Sequence, residues 1–213
     1  MPQEFLEERK HMVARQLKAR GINDEHVLAA FESIPRHVFV PEAAREWAYE
    51  DCPHPIGFGQ TISQPFIVAY MIQSLELTDT ERVLEVGTGS GYQAAILSCL
   101  VQDVHTIELI PALAERATQT LADLGIGNIY VHIGDGSQGW PESAPYDAIV
   151  VSAAASRVPK SLLIQLSNQG RMILPVGKAG FQMLQLWRCE KESFSHEMLL
   201  PVAFVPLKGK EGV

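Results

Sequence analysis

Arg82–Ser98 reads RVLEVGTGSGYQAAILS, a short apolar run that meets three alternating glycines and then an apolar stretch at helical spacing. Val83, Leu84 and Val86 predict a buried strand of a parallel sheet, bounded by turn residues. Gly87, Gly89 and Gly91 predict a tight loop, because residues without a Cβ accept positive φ and let a ligand lie against the backbone. From Tyr92, the positions Ala94, Ala95, Leu97 and Ser98 predict a helix whose N-terminus offers unpaired N–H groups to that ligand.

The glycine spacing separates two kinds of nucleotide site. A dinucleotide fingerprint is G-x-G-x-x-G, and Tyr92 stands where its third glycine would fall. The pattern here is G-x-G-x-G, with an acid, Glu85, ahead of it. Backbone amides with a carboxylate and no lysine suit a triphosphate poorly, and no G-x-x-x-x-G-K-[ST] occurs in the chain. A carboxylate beside the loop suits a ligand with a positive end, such as the amino and sulfonium groups of S-adenosylmethionine.

The wording EVGTGSGYQAAIL resembles motif I of the class I S-adenosylmethionine-dependent methyltransferases, and within them the protein-L-isoaspartate O-methyltransferase family. GQTISQP at Gly59–Pro65, GDGSQGW at Gly134–Trp140, PYDAIVVSAAASRVP at Pro145–Pro159 and FVPL at Phe204–Leu207 are similar to that family in its own order. The resemblance covers nearly the whole chain. It implies an α/β fold: a doubly wound, mostly parallel Rossmann-like sheet with an N-terminal helical addition and a C-terminal antiparallel strand pair. One domain over 1–213 is expected, with 1–78 carrying the N-terminal helices and the acceptor loop and 79–213 the cofactor-binding core and closing strands.

With 213 residues the chain is long enough for one sizeable core, and no apolar run approaches the roughly 20 residues that span a bilayer. The start, MPQEFLEERKHM, carries acids and no apolar segment, so neither a signal nor a transit peptide is expected. Cys52, Cys99 and Cys189 are scattered and odd in number, which predicts reduced thiols in a soluble cytoplasmic protein without disulfides or zinc. The seven histidines form no H-x-x-x-H, so no metal is expected. A net charge of -8 without a basic track argues against nucleic acid, and no membrane partner is expected. The expected partners are isoaspartyl-containing proteins and peptides, met by a monomer.

Along the chain, Leu6, Val13 and Leu17 predict a helix stopped by Gly21. Asn23 or Asp24 caps a second helix with Val27, Leu28, Phe31 and Ile34 on its apolar face. Both are expected over the ligand site. Pro41–Gly59 reads as an irregular functional loop, and Pro65 begins the next helix. Ser63 lies at or beside that helix's N-cap. It is either a cap or a group facing the reacting atoms, and the family places its active-site serine in this TIS motif. Gln60, Thr61 and Ile62 are then substrate contacts, with the backbone of Val205 and Pro206 offering a strand edge for an extended peptide.

VHTIEL predicts a second strand ending at Glu108, either a solvent-facing strand end or a carboxylate that accepts from both ribose hydroxyls. NIYVHIGDG predicts a third, ending at Asp135 and Gly136. Asp135 is either an Asx-turn acid or the acceptor for an adenine amino group. The resemblance adds Thr88, Ser90 and Gln93 to Glu85, Gly87, Gly89, Gly91, Glu108, Asp135 and Gly136 as the binding set for S-adenosylmethionine and its product S-adenosylhomocysteine. Further strands are expected at Tyr146–Val151, Arg171–Pro175, Met183–Cys189 and Met198–Val205, and a helix over Pro159–Leu166.

The implied activity is methyl transfer to the α-carboxylate of an L-isoaspartyl residue, after which the ester collapses to a succinimide without help. A carboxyl of pKa ~4 is ionised at neutral pH, so no general base is required and Ser63 positions the acceptor. Orientation alone supplies roughly 7–11 kcal/mol of barrier reduction. The family often carries an arginine where this chain has Ala203, so a contact assigned to that arginine does not carry over. The alternatives are a methyltransferase of the same fold with a small-molecule acceptor, and a non-catalytic module that binds an adenosyl ligand.

Overall fold

In the computed structural model, which describes residues 5–191 and 193–212, the chain opens on α1 (Leu6–His11). A π-helical turn (Met12–Leu17) and a 3-10 turn (Lys18–Arg20) continue it to Gly21, whose φ of +96° ends the helix. Asp24 caps α2 (Glu25–Ser33), accepting from the His26 and Val27 amides at 2.8 and 3.1 Å. At about 1.5–3 kcal/mol for each fully buried large side chain, Met12, Leu17, Ile22 and Phe31 make these helices a fixed part of the core.

The segment expected to be irregular contains an antiparallel hairpin, β1 (His54–Gly57) with β2 (Gln60–Ile62), in which His54 faces Ile62. Pro55, Gly57 and Gly59 conceal it, since all three are poor strand formers. Then come α3 (Pro65–Ser74), β3 (Arg82–Val86), α4 (Tyr92–Ser98), β4 (Asp103–Glu108), α5 (Pro111–Asp123), β5 (Ile129–Ile133), β6 (Tyr146–Val151), α6 (Lys160–Leu163), β7 (Leu166–Lys178), β8 (Phe181–Glu190) and β9 (Ser193–Val202). Several boundaries differ from expectation, and α6 ends at Leu163 instead of Leu166, which already belongs to β7. β7 starts well before Arg171, and β9 covers Ser193–Val202, so Phe204–Leu207 lies outside it.

The main sheet runs β5-β4-β3-β6-β7-β8-β9, parallel through β7 and antiparallel over the last two pairings. This is the doubly wound, mostly parallel sheet with a closing antiparallel pair. Alternation along the strands splits the core. Val83, Ala148 and Val150 pack toward the N-terminal helices and α3, while Leu84, Val86, Ile149 and Val151 pack on the other face with Leu162 of α6. The chain's direction of winding reverses at β3, between β4 and β6. A sheet of this topology binds ligands in the crevice at the carboxyl ends of its strands there.

Candidate active site

The crevice is a cavity of about 860 Å³, its open mouth included. Its floor is the loop after β3, where Gly87, Gly89 and Gly91 take φ of +96°, +55° and +88°. The loop is pinned by its neighbour, since the Gly87 and Thr88 amides donate to the Ile107 carbonyl at 2.9 and 3.3 Å. A Cβ on Gly89 would make an ordinary contact with Ile56 Cδ1 of β1 at 3.4 Å, so the φ of +55°, and not lack of space, is what favours glycine here.

Glu85 is fully buried below the loop. The Thr88 hydroxyl lies 2.7 Å from the Thr106 hydroxyl, which donates to Glu85 Oε2 at 2.5 Å. Burial pushes the Glu85 carboxyl up to about 8, against the pull of that hydrogen bond, and nearby Glu108 adds to the rise. Glu85 Oε1 is buried with no partner in hydrogen-bonding geometry among the described residues, although Gln93 lies close enough to act on the carboxyl. An orphaned carboxylate oxygen under a ligand cavity fits a cationic amino group.

Glu108 ends β4 and is buried at the cavity wall. Its Oε2 accepts from the Gly89 amide at 2.8 Å and its Oε1 from the Ile110 amide at 3.0 Å. Each oxygen retains a second acceptor position, which fits a pair of vicinal hydroxyls. Gln93 of α4 donates to the Ser152 hydroxyl at 2.9 Å, and both residues line the cavity with Thr88 and Ser90. Gly136 also lines it. A Cβ there would sit 2.6 Å from Val86 Cγ1, so only glycine permits this approach.

Asp135 is brought elsewhere. It does not line the cavity, and its carboxylate accepts from the Ser137 amide and hydroxyl at 3.0 and 2.7 Å, Gln138 Nε2 at 3.0 Å and the Lys210 amide at 2.8 Å. Burial would raise its pKa, but these hydrogen bonds, led by the Lys210 amide, hold it below the ordinary carboxylate range. The Asx-turn alternative describes this geometry. The partner is the C-terminal segment, whose stretch beyond Leu207 has no role in the sequence reading. It pairs Leu207 with Ala154 at 2.8 Å and caps α6 through Glu211, whose carboxylate accepts from the Lys160 amide at 2.7 Å.

The rest of the cavity lining includes Gln60, Thr61, Ile62 and Ser63 and, from the C-terminal segment, Val205, Pro206, Leu207 and Lys208. Ser63 is not the cap of α3. Gln64 holds that position, no side chain caps the helix, and the Ser63 hydroxyl has no hydrogen bond among the described residues. Its backbone is held instead by Arg36, fully buried, which donates to the Ser63 carbonyl at 2.8 Å and to the Ala48 carbonyl at 2.7 Å. Nothing in a lone Pro-Arg-His run announces this arginine.

The strand edge expected at Val205 and Pro206 is largely committed. The Ala154 amide donates to the Val205 carbonyl at 2.8 Å, proline has no N–H, and the Gln182 side chain pairs with both backbone groups of Phe204 at 2.6 and 3.0 Å. The N-terminal helices are also displaced from expectation. No residue before Gln60 lines the cavity, and these helices pack on α3 and α4 instead.

Comparison with known proteins places these features in context. The family profile described as protein-L-isoaspartate(D-aspartate) O-methyltransferase matches residues 7–212. Protein-L-isoaspartate O-methyltransferase 1 of Rhodopseudomonas palustris (strain HaA2) is 52% identical over 98% of this chain and 86% of its own length. A solved protein-L-isoaspartate O-methyltransferase superposes with a TM-score of 0.85 at 30% identity, covering 96% of this chain and 67% of that one. A Plasmodium falciparum structure described as a putative member, in complex with S-adenosyl-L-homocysteine, has a TM-score of 0.82 at 27% identity, covering 94% of this chain and 98% of that one.

Proposed function

The chain belongs to the protein-L-isoaspartate(D-aspartate) O-methyltransferase family, and from that premise we propose residue roles for its cavity. The protein is an S-adenosylmethionine-dependent enzyme that transfers a methyl group to the α-carboxylate of L-isoaspartyl residues in damaged proteins and peptides, initiating their repair. The observation that carries the proposed roles is convergence: the glycine loop, two buried carboxylates and the free Ser63 hydroxyl open onto one cavity.

S-adenosylmethionine supplies a methyl group made electrophilic by its sulfonium. The Glu85 oxygen without a partner would hold the cofactor's amino group once the carboxyl is ionised, and the second acceptor positions of Glu108 would hold the ribose hydroxyls. Gly87, Gly89, Gly91 and Gly136 let the ligand approach the backbone, with Thr88, Ser90 and Gln93 lining the floor. Asp135 acts through the C-terminal segment that it anchors, not by facing the cavity.

Ser63 orients the acceptor carboxylate, with Gln60, Thr61 and Ile62 beside it. The acceptor is already ionised at neutral pH, so the site has no proton to remove. Its contribution is orientation and the exclusion of water, of which orientation supplies roughly 7–11 kcal/mol. The Pro206 carbonyl is the backbone group left to receive an amide of a substrate chain, and Lys208 is the cation at the rim. We read the enzyme as cytoplasmic, which its three free cysteines support. Among the described residues no helix is long and apolar enough to cross a membrane.

The decisive measurement is transfer of labelled methyl groups to an isoaspartyl peptide beside its normal aspartyl twin, by wild type and by Ser63→Ala at saturating cofactor. Wild type is expected to label only the isoaspartyl form. Ser63→Ala is expected to lose at least tenfold in single-turnover rate with its melting temperature nearly unchanged. A rate within about a factor of two of wild type would remove Ser63 from the site.

A further inference from the structure

Between the 3-10 turn that ends at Trp47 and the start of β1, three ligand-type side chains occupy alternate positions: Glu50, Cys52 and His54. A three-residue turn, in which the Cys52 amide donates to the Glu50 carbonyl at 2.9 Å, draws the first two closer. Cys52 Sγ stands 3.6 Å from His54 Nε2 and 3.8 Å from Glu50 Oε2, and all three donor atoms lie within 4.8 Å of one another. Four-coordinate zinc, with bonds of about 2.0–2.3 Å, holds adjacent donors about 3.5 Å apart. The two sulfur distances are therefore within a few tenths of an ångström of what one ion needs.

We propose that Glu50, Cys52 and His54 form a three-ligand site for a borderline divalent cation such as zinc, with water as the fourth ligand. The E-x-C-x-H spacing matches none of the metal motifs legible in sequence, because it depends on one turn and on the first residue of a proline-containing strand. His54 is buried, and the Trp47 backbone lies close enough to act on its ring. Asp51 is turned aside to pair with Arg20.

Binding exchanges the Cys52 S–H bond for an S–metal bond, and the proton leaves to solvent. Without an ion, burial and the Glu50 charge push the Cys52 thiol up against a small opposing pull from Arg36; in the bound state thiolate and carboxylate balance the two charges of the ion. His54 pairs with Ile62 across the hairpin, next to Ser63 in sequence. An ion here braces the open end of the hairpin that presents the acceptor loop.

The test is titration of chelator-stripped full-length protein with cobalt(II) alone, followed by displacement with zinc(II) alone. One cobalt per chain with thiolate-to-metal charge-transfer absorption is expected, and zinc should abolish the band. Cys52→Ser should lose the band, while Cys99→Ser, which changes an exposed cysteine, should keep it. Glu50→Gln alters an exposed side chain and should weaken binding about tenfold or more. Zinc should raise the melting temperature of wild type and not that of Cys52→Ser. A trio held by hydrogen bonds alone would show no band at saturating cobalt, or a band that survives Cys52→Ser, and either result overturns the site. Neither readout involves the cofactor, so the outcome is independent of the roles proposed for the main cavity.

Discussion

The two walls of the cavity are built on different principles. The wall proposed for the cofactor is local: β3, its loop and α4 are one continuous stretch, held by backbone hydrogen bonds to Ile107 and by Glu108 at the end of the adjacent strand. The wall proposed for the acceptor is assembled from remote parts: the β1–β2 hairpin, the buried Arg36 that holds the Ser63 carbonyl, and the segment around Val205–Lys208 clamped to Ala154. A local wall is specified by spacing and tolerates changes elsewhere. A composite wall fails when any one supporting contact is lost, even one that never touches a ligand.

That contrast can be broken most sharply at Gly89, where the walls meet. Gly89→Val forces a β-branched residue into φ +55° and drives its side chain toward Ile56 of the hairpin. Cofactor affinity is expected to fall about 100-fold, ~2.8 kcal/mol, with the sheet intact. Calorimetry showing wild-type affinity in a folded variant would contradict a backbone-lined site.

Arg36→Met removes two hydrogen bonds of a buried guanidinium, each worth ~1.5–3 kcal/mol. Isoaspartyl-peptide turnover is expected to fall at least tenfold and the melting temperature to drop, while cofactor affinity stays within about threefold. Equal losses in cofactor affinity and turnover would show that the walls are not separable.

Glu108→Gln keeps the shape of the side chain and removes its charge. A tenfold loss of cofactor affinity is expected, ~1.4 kcal/mol, together with some loss of stability because the Gly89 and Ile110 amides lose a charged acceptor. The comparison that isolates the ribose is a 2′,3′-dideoxy cofactor analogue. If wild type and variant lose equally on that change, Glu108 supports only the loop.

The smallest effect is the pH dependence of Glu85. Its folded pKa of about 8 lies above the unfolded value of about 4.3, so between these values the folded state holds the extra proton. Stability of the cofactor-free protein should therefore decline as pH rises through this window, and Glu85→Gln should flatten that decline. Pairing with the cofactor's amino group requires the ionised form, so affinity should rise with pH up to about 8 in wild type and not in the variant. Melting and calorimetry across that window measure both slopes.

The glycine loop, the acid at the end of β4 and the alternation of strand and helix were legible because each depends on neighbours in sequence: a turn needs φ > 0, a buried parallel strand needs an apolar run, and a helix needs its period. Ser63 was legible as either a cap or a group facing the reacting atoms; Gln64 takes the cap position, and Ser63 is left lining the cavity. Asp135 looked equally able to face adenine, yet Lys210, far along the chain, claims its carboxylate. Arg36, the hairpin hidden by Pro55, and the meeting of Glu50, Cys52 and His54 had no local signal. Sequence by itself determined the sheet, the cofactor loop and the chemistry that the loop invites. Tertiary structure alone decided which polar groups stay unpaired, because a buried donor or acceptor is available to a ligand only if no distant part of the chain has already satisfied it.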